Sequence, residues 1–253
     1  MNNVPEYPPG RGLLVGKTVL VTAAAGTGIG FATAKRCVEE GARVAITDIH
    51  ARRLAESASE LGAHAVLANV TSQDDVDRCF SDVIATFGHL DVLVNNAGLG
   101  GTASLADMTD EQWSSVLDVT LTGTMRMMRA GLRYMGERGS GAIVNNASVV
   151  GWRAQAGQSH YAAAKAGVMA LTRCAALEAA EMGVRINAVS PSLAMHPHLA
   201  KVTTEELLAD LATREAFGRA AEPWEVANVI VFLASDLSSY MTGEVVSVSS
   251  QHP

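Results

Sequence analysis

The chain predicts an α/β fold: a doubly wound, parallel sheet of seven strands with helices on both faces. Three observations lead there. Strand-length runs of Val, Ile, Leu and Ala are continuous rather than alternating, so both strand faces must be covered. Segments of helical period separate these runs. The first run passes through a glycine-rich turn, "VTAAAGTGIG" (21–30), straight into the first helix.

"KTVLVTA" (17–23) is short, apolar and β-branched, and reads as a buried strand. "FATAKRCVEEGA" follows as a helix, with Gly41 placed to cap its end. "RVAITD" (43–48) is the second strand, "ARRLAESASELG" the second helix and "HAVLANV" the third strand. "QDDVDRCFSDVIATFG" has helical spacing and ends in glycine, and "LDVLVNNAG" (90–98) is a fourth strand running into a turn. Residues 109–137 read as one long helix, 141–147 as strand five, 159–182 as a helix and "VRINAVSP" (184–191) as strand six. "EPWEVANVIVFLAS" is the last helix and "EVVSVS" (244–249) the last strand. Right-handed crossovers between parallel strands then wind the sheet in both directions.

No internal repeat and no linker interrupts residues 13–253, which read as one domain. The proline-rich "MNNVPEYPPGRG" before it lacks the apolar core of a signal peptide and reads as a loosely attached N-terminal arm, residues 1–12. Residues 192–218 break the strand–helix rhythm just after strand six. An insertion at that end of an open sheet lies over the binding crevice, and is expected to be a substrate lid.

The 253 residues are 48% hydrophobic, enough for a large core and against disorder. A net charge of −7 without a basic block argues against nucleic acid as partner. It leaves room for an anionic cofactor, which backbone N–H groups can bind. Cys37, Cys79 and Cys174 lie in three separate helical segments, an odd and unpaired set expected to be small core residues in a reducing cytoplasm. No Cys/His spacing suits a metal, and no apolar run reaches the roughly 20 residues of a membrane span.

The glycine turn supplies the first chemistry. Backbone without Cβ atoms lets N–H groups approach a pyrophosphate at a helix N-terminus, which makes Ala24, Gly26, Thr27, Gly28, Ile29 and Gly30 candidate cofactor contacts. Three glycines alone also make ordinary turns. Asp48, ending strand two eighteen residues after Gly30, sharpens the reading, with Ile49 beside it. Its carboxylate can accept hydrogen bonds from ribose hydroxyls and would repel a 2′-phosphate, so NAD is expected over NADP. Arg52 and Arg53 sit nearby on a helix face expected to meet solvent.

With "NNAG" (95–98), Ser148, and Tyr161 and Lys165 in "SHYAAAK" (159–165), the chain resembles the short-chain dehydrogenase/reductase family over residues 15–250. Ser148 precedes Tyr161 by thirteen residues, as is common in that family. The resemblance implies a Rossmann-type sheet and hydride transfer between nicotinamide and a secondary alcohol or ketone. Tyr161 would be the general acid/base. Lys165, one helical turn on, would favour the phenolate and hold the nicotinamide ribose, and Ser148 would hold the substrate oxygen. Asn96, Ala97 and Gly98 would support sheet and cofactor; Asn69 and Val70 would meet the adenine; Pro191 and Leu193 would lie along the nicotinamide. The family's usual first loop glycine is replaced by Ala24, so the phosphate contacts are expected to shift by one residue, starting from Thr22, or to be kept through Gly26. Thr120 stands where the family has a proton-relay asparagine, and is expected to take part in catalysis through its hydroxyl. "SPSLAMHP" (190–197) puts Ser192 for a glycine and His196 for a threonine.

Leu99, Val150, Trp152, Met195 and His196, with Gly100 and Val149, would line a mostly apolar pocket. That suits a hydrophobic substrate: a hydroxyacyl thioester, possibly CoA-linked, or a steroid-like alcohol. The resemblance also implies a homotetramer built on the two long helices. Two other readings stay open, a Rossmann epimerase or dehydratase reusing the Tyr/Lys pair, and a weakened dinucleotide-binding sensor or scaffold.

Overall fold

The computed structural model describes residues 4–195 and 210–250. Seven strands form one sheet: β1 (Thr18–Thr22), β2 (Arg43–Asp48), β3 (His64–Leu67), β4 (Val92–Asn95), β5 (Gly141–Asn146), β6 (Val184–Pro191) and β7 (Val245–Val248). Their order is β3-β2-β1-β4-β5-β6-β7, and each neighbouring pair is parallel. The chain thus winds outward from β1 one way and from β4 the other. The reversal point lies between β1 and β4, where an open sheet of this kind holds its ligand.

The helices are α1 (Ile29–Glu39), α2 (Ala51–Leu61), α3 (Gln73–Phe87), α4 (Asp110–Leu117), α5 (Gly123–Arg138), α6 (Ser159–Ala180) and α7 (Pro223–Ala234). They cover both faces. One core layer packs Val19, Val21, Val44, Ile46, Val92, Val94 and Val144 against α1 and α7. The other packs Leu20, Leu93, Ile143 and Ile186 against Phe80, Met127, Met128 and Met135 of α3 and α5. Central strands β1 and β4 are buried throughout, as continuous apolar runs require. The edge strands β3 and β7 have only one flanking strand each and remain part-exposed.

Boundaries match the sequence pattern closely, with one correction. The long helix expected at 109–137 is interrupted by a π turn, Asp118–Thr122, between α4 and α5. The N–H of Gly123 reaches back five residues to the Asp118 carbonyl. A Cβ at Gly123 would crowd Val70, so that glycine lets the turn lie close to the chain after β3.

Two further expectations are corrected. Cys37 and Cys79 are buried, but Cys174 is exposed on α6, because its position falls on the face turned from the sheet. The arm is also tied down from Tyr7 onward. The Glu40 carboxylate accepts the N–H groups of Arg11 (2.8 Å) and Leu13 (3.0 Å) and pairs with Arg36 at 2.7 Å. Arg36 also donates to the Pro8 carbonyl, Tyr7 donates to Glu39, and the Tyr7 ring meets Trp224 of α7 edge-on. Prolines hold this stretch extended, while its backbone finds acceptors on α1.

Burial alone pushes the Glu40 carboxyl up, but the N–H groups of Leu13 and Arg11 and the Arg36 charge bring it below its ordinary value. Its contribution to stability is therefore present above the ordinary carboxylate range and is lost as pH falls through the depressed value. Removing the carboxylate strands a buried guanidinium and two N–H groups. Glu40→Ala is expected to cost about 3–5 kcal/mol in urea unfolding near pH 7. A loss below about 1 kcal/mol would show that the ion pair does not hold the arm.

Candidate active site

The site forms at the carboxyl ends of β1, β4, β5 and β6. The turn after β1 has an unusual path. Ala23 takes a positive φ of 50°, Ala24 is buried with its N–H on the Thr47 carbonyl, and Gly26 turns at φ 119°. Ala24 is thus a structural residue of the turn and does not line the crevice, as the sequence had suggested. Gly26 has open space where a Cβ would stand, and Thr27 is exposed. Gly28 is the N-cap of α1 and offers no side-chain cap, so the first N–H groups of the helix face outward together with the helix dipole. Ile29 starts the helix. A Cβ at Gly30 would overlap the Ala23 carbonyl and the Asn96 amide, so this glycine is required by close packing.

Asp48 ends β2 beside this turn. Its carboxylate accepts the N–H of Ala25 (3.3 Å) and of His50 (3.0 Å), which holds it at the crevice edge. Ile49 is exposed next to it, and Arg52 and Arg53 face solvent as expected. After β3 the Asn69 side-chain carbonyl accepts the Thr71 N–H, and Asn69 is half-buried. Val70 is turned into the core against Gly123, so its side chain does not present itself to an adenine as expected. Pro191 is buried at the end of β6. Leu193 lies just beyond, its N–H on Glu215.

Paired asparagines on β4 and β5 join the two halves. Asn95 donates to Asn145 at 2.9 Å within the core, and Asn145 donates to Thr172 of α6. One residue on, Asn146 donates to the Asn96 side-chain carbonyl at 2.9 Å. The Asn96 amide in turn donates to the carbonyls of Thr22 and Ala23, while the Thr22 hydroxyl accepts the N–H groups of Asn96 and Ala97. The glycine turn is therefore locked to the ends of β4 and β5. The second pair, "NN" at 145–146, was not singled out from sequence; its match to the "NN" of 95–96 was the available signal.

Ser148, Tyr161 and Lys165 converge here. Ser148 leaves β5 and caps a short 3-10 turn, accepting the Val150 N–H. Tyr161 and Lys165 stand one turn apart on α6, with the ammonium 5.6 Å from the Tyr161 ring centroid. Lys165 is 3% exposed and donates to the Asn146 carbonyl at 2.5 Å. Burial pushes its ammonium down to about 8. Burial likewise pushes the Tyr161 phenol up, and a hydrogen bond with Ser148 draws it part of the way back. Within the protein alone, desolvation outweighs the expected help from Lys165, whose ammonium lies over the ring rather than at the hydroxyl. Gly98 is exposed beside this pair, with a Cβ position 3.5 Å from the lysine Nζ and 3.7 Å from the Thr120 hydroxyl.

Thr120 occupies the middle of the π turn and is fully buried. Its hydroxyl accepts the Leu99 N–H at 3.0 Å and donates to the Leu99 carbonyl at 3.3 Å. It thus fixes the start of the loop after β4 rather than reaching toward Lys165. Of the expected pocket residues, Leu99 and Trp152 are 41% and 50% exposed, so neither is a core residue. Val150 and Met195 are half-buried, Met195 with its N–H on the Ala221 carbonyl. His196 and residues 196–209 of the expected lid lie outside the described residues. The described parts of 192–218 are anchored: Ala194 bridges Ala221, and Glu215 takes up the Ser250 hydroxyl.

An enoyl-(acyl carrier protein) reductase family model matches residues 23–250. The chain belongs to the short-chain dehydrogenase/reductase family. It is 63% identical to a (5R,7aS)-5-hydroxy-7a-methyl-1-oxo-2,3,5,6,7,7a-hexahydro-1H-indene-carboxyl-CoA reductase of Mycobacterium tuberculosis, with 98% of each chain covered. It is 42% identical to a cis-4-hydroxycyclohexanecarboxylate dehydrogenase of Sinomonas cyclohexanicum, covering 91% of this chain and 94% of that one. A crystal structure of a short chain dehydrogenase from Mycobacterium smegmatis superposes with a TM-score of 0.89 at 58% identity, covering 100% and 99% of the two chains. As a short-chain dehydrogenase/reductase, the chain is an oxidoreductase of hydroxyl and keto groups that works with a nicotinamide cofactor. The uncapped α1 N-terminus and the open Gly26 turn fit that cofactor's phosphates. Among the described residues, no helix is long and apolar enough to cross a membrane, and no cluster could hold a metal ion.

A buried ammonium lowered toward 8 opposes folding most at neutral pH and less as pH rises toward its unfolded value. Lys165→Met is expected to gain about 1–3 kcal/mol at pH 7, offset by the lost bond to Asn146, with the gain shrinking between pH 8 and 10. Thermal unfolding across that range checks it. A gain that grows with pH would contradict the assignment.

Proposed function

We propose that the chain moves a hydride between NAD(H) and a secondary alcohol or ketone on a hydrophobic, CoA-linked substrate. The observation that carries the reading is the convergence of Ser148, Tyr161 and buried Lys165 at the carboxyl ends of β4 and β5. Bound nicotinamide would supply or accept the hydride. The chain's own residues do the rest. Gly26, Thr27, Gly28, Ile29 and Gly30 would receive the phosphates on backbone N–H groups. Lys165, already committed to Asn146 by one N–H, keeps others for a ribose. Asn96, Ala97 and Gly98 form the floor beneath, and Asn69 with Pro191 and Leu193 bound the two ends.

At the reacting carbon, the Ser148 hydroxyl would donate to the substrate oxygen while the Tyr161 O–H gives its proton as charge develops there. In the oxidative direction the same phenol takes the proton back. Its raised pKa suits the acid role, and the positive ring of an oxidised cofactor beside it would favour the phenolate for the base role.

Asp48 supports NAD over NADP. Its carboxylate is fixed by Ala25 and His50 where a ribose edge would lie, and a 2′-phosphate there would meet like charge. The half-exposed Leu99, Val150, Trp152 and Met195 supply an apolar wall. The relative named for a carboxyl-CoA substrate supports a thioester on a bulky hydrophobic body. The exposed apolar residues of α4 and α6, Trp113 and Leu177, support assembly through the long helices, and we take a homotetramer in the cytoplasm as the working state.

Oxidation of NADH by a 3-oxoacyl-CoA, followed at 340 nm, tests the reading. Tyr161→Phe is expected to lower turnover at least 100-fold with the fold intact. A variant as fast as the parent would remove the general-acid assignment. Asp48→Ala is expected to shift the NADH/NADPH preference at least tenfold toward NADPH, and an unchanged ratio would contradict the carboxylate's role.

A further inference from the structure

The loop after β4 is fastened to the site at both ends. At its start, Gly98 lies beside the Lys165 ammonium, and the Thr120 hydroxyl holds both the N–H and the carbonyl of Leu99. At its far end, the Ala103 N–H donates to the Gly157 carbonyl at 3.0 Å. Gln158 closes the same end. Its side-chain amide donates to the Gly101 carbonyl at 2.8 Å and to the Thr102 hydroxyl at 3.3 Å. Its backbone carbonyl accepts the Ala162 N–H at 2.7 Å, in the first turn of α6. One residue thus begins the helix that carries Tyr161 and holds the loop beside that helix. Gly157 allows the close approach: it turns at φ 76°, and a Cβ there would stand 2.8 Å from the Thr102 methyl. Between the two fastenings, residues 98–102 are exposed, and Gly100 has open space where a Cβ would stand. Glycine backbone in so exposed a stretch has many paths open to it, so the path it takes depends on these bonds.

From this arrangement we infer that Gln158 is a positioning residue for substrate selection: it clasps the loop 98–103 to the start of α6 and so fixes the apolar wall that Leu99 offers beside Tyr161 and Lys165. The inference rests on the proposed carbonyl reaction only for what meets that wall. Gln158 touches no reacting atom, because its amide is committed to Gly101 and Thr102. A wall held in one path spares an apolar group the cost of ordering it on binding. The substrate it favours is a ketone with a sizeable apolar body close to the reacting carbon. A small ketone buries little surface there and gains little from the clasp.

The test compares acetoacetyl-CoA with 3-oxododecanoyl-CoA, which share the thioester and the reacting ketone and differ in their apolar tail, at saturating NADH. Gln158→Glu keeps the side-chain length and suits a helix N-terminus, but its carboxylate cannot donate to the Gly101 carbonyl. It is expected to raise KM for the long substrate about fivefold, the effect of one neutral hydrogen bond, with KM for acetoacetyl-CoA and both kcat values held within about twofold. Gln158→Lys, which restores a donor on a long stem, should recover part of the difference. Hydrogen exchange in the full chain should be faster over 99–103 in Gln158→Glu than in the parent, and unchanged over 163–180. Equal KM changes for the two substrates, a kcat loss shared by both, or parent-like exchange over 99–103 overturns the inference. A parent that reduces neither substrate counts against the proposed reaction instead. Faster exchange over 99–103 in Gln158→Glu then upholds the clasp, and unchanged exchange overturns it.

Discussion

One hydrogen-bonded path holds the site together. It runs from the carbonyls of Thr22 and Ala23 through the Asn96 side chain to Asn146, and from the Asn146 backbone carbonyl to the Lys165 ammonium. Each step crosses between elements that are distant in sequence: β1 to β4, β4 to β5, β5 to α6. The path places the glycine turn and α6 in one frame, so neither can shift without breaking a buried polar contact. Such contacts are expensive to leave unmade, which makes the frame stiff where orientation matters most.

That frame also explains a tension in the energetics. Lys165 is held almost fully out of water, where its charge is disfavoured, and Tyr161 stands half-buried beside it. An ordinary core would place a methionine there. The asparagine path supplies the fixed acceptor that this uncomfortable cation needs.

Most of the sheet and helix pattern was legible because buried parallel strands announce themselves as continuous apolar runs. β2 and β6 match their sequence boundaries residue for residue. The spacing of Ser148, Tyr161 and Lys165 was enough to anticipate that the three would stand together. What escaped was set by contacts across the sequence. The π turn depends on Thr120 reaching Leu99 and on Val70 filling the space left by Gly123, and neither partner is local. The inward turn of Val70 and the burial of Ala24 were invisible for the same reason. The docking of the arm on Glu40 was hidden because a lone glutamate near a helix end usually meets water. Cys174 escaped through periodicity, since a helix with apolar residues nearly all round does not say which face meets the sheet.

The extra residue accommodated at 118–122 separates the packing of the core from the placement of the loop after β4. A π turn absorbs one residue beyond the regular helical count, so α4 and α5 keep their faces on either side of it. Deleting one position there would let the helix close its ordinary ladder with Met127, Met128 and Met135 still on the sheet. The inward step that carries a hydroxyl to Leu99 would vanish. Chains differing by a single deletion at this point would share a core and differ in how the loop after β4 is held.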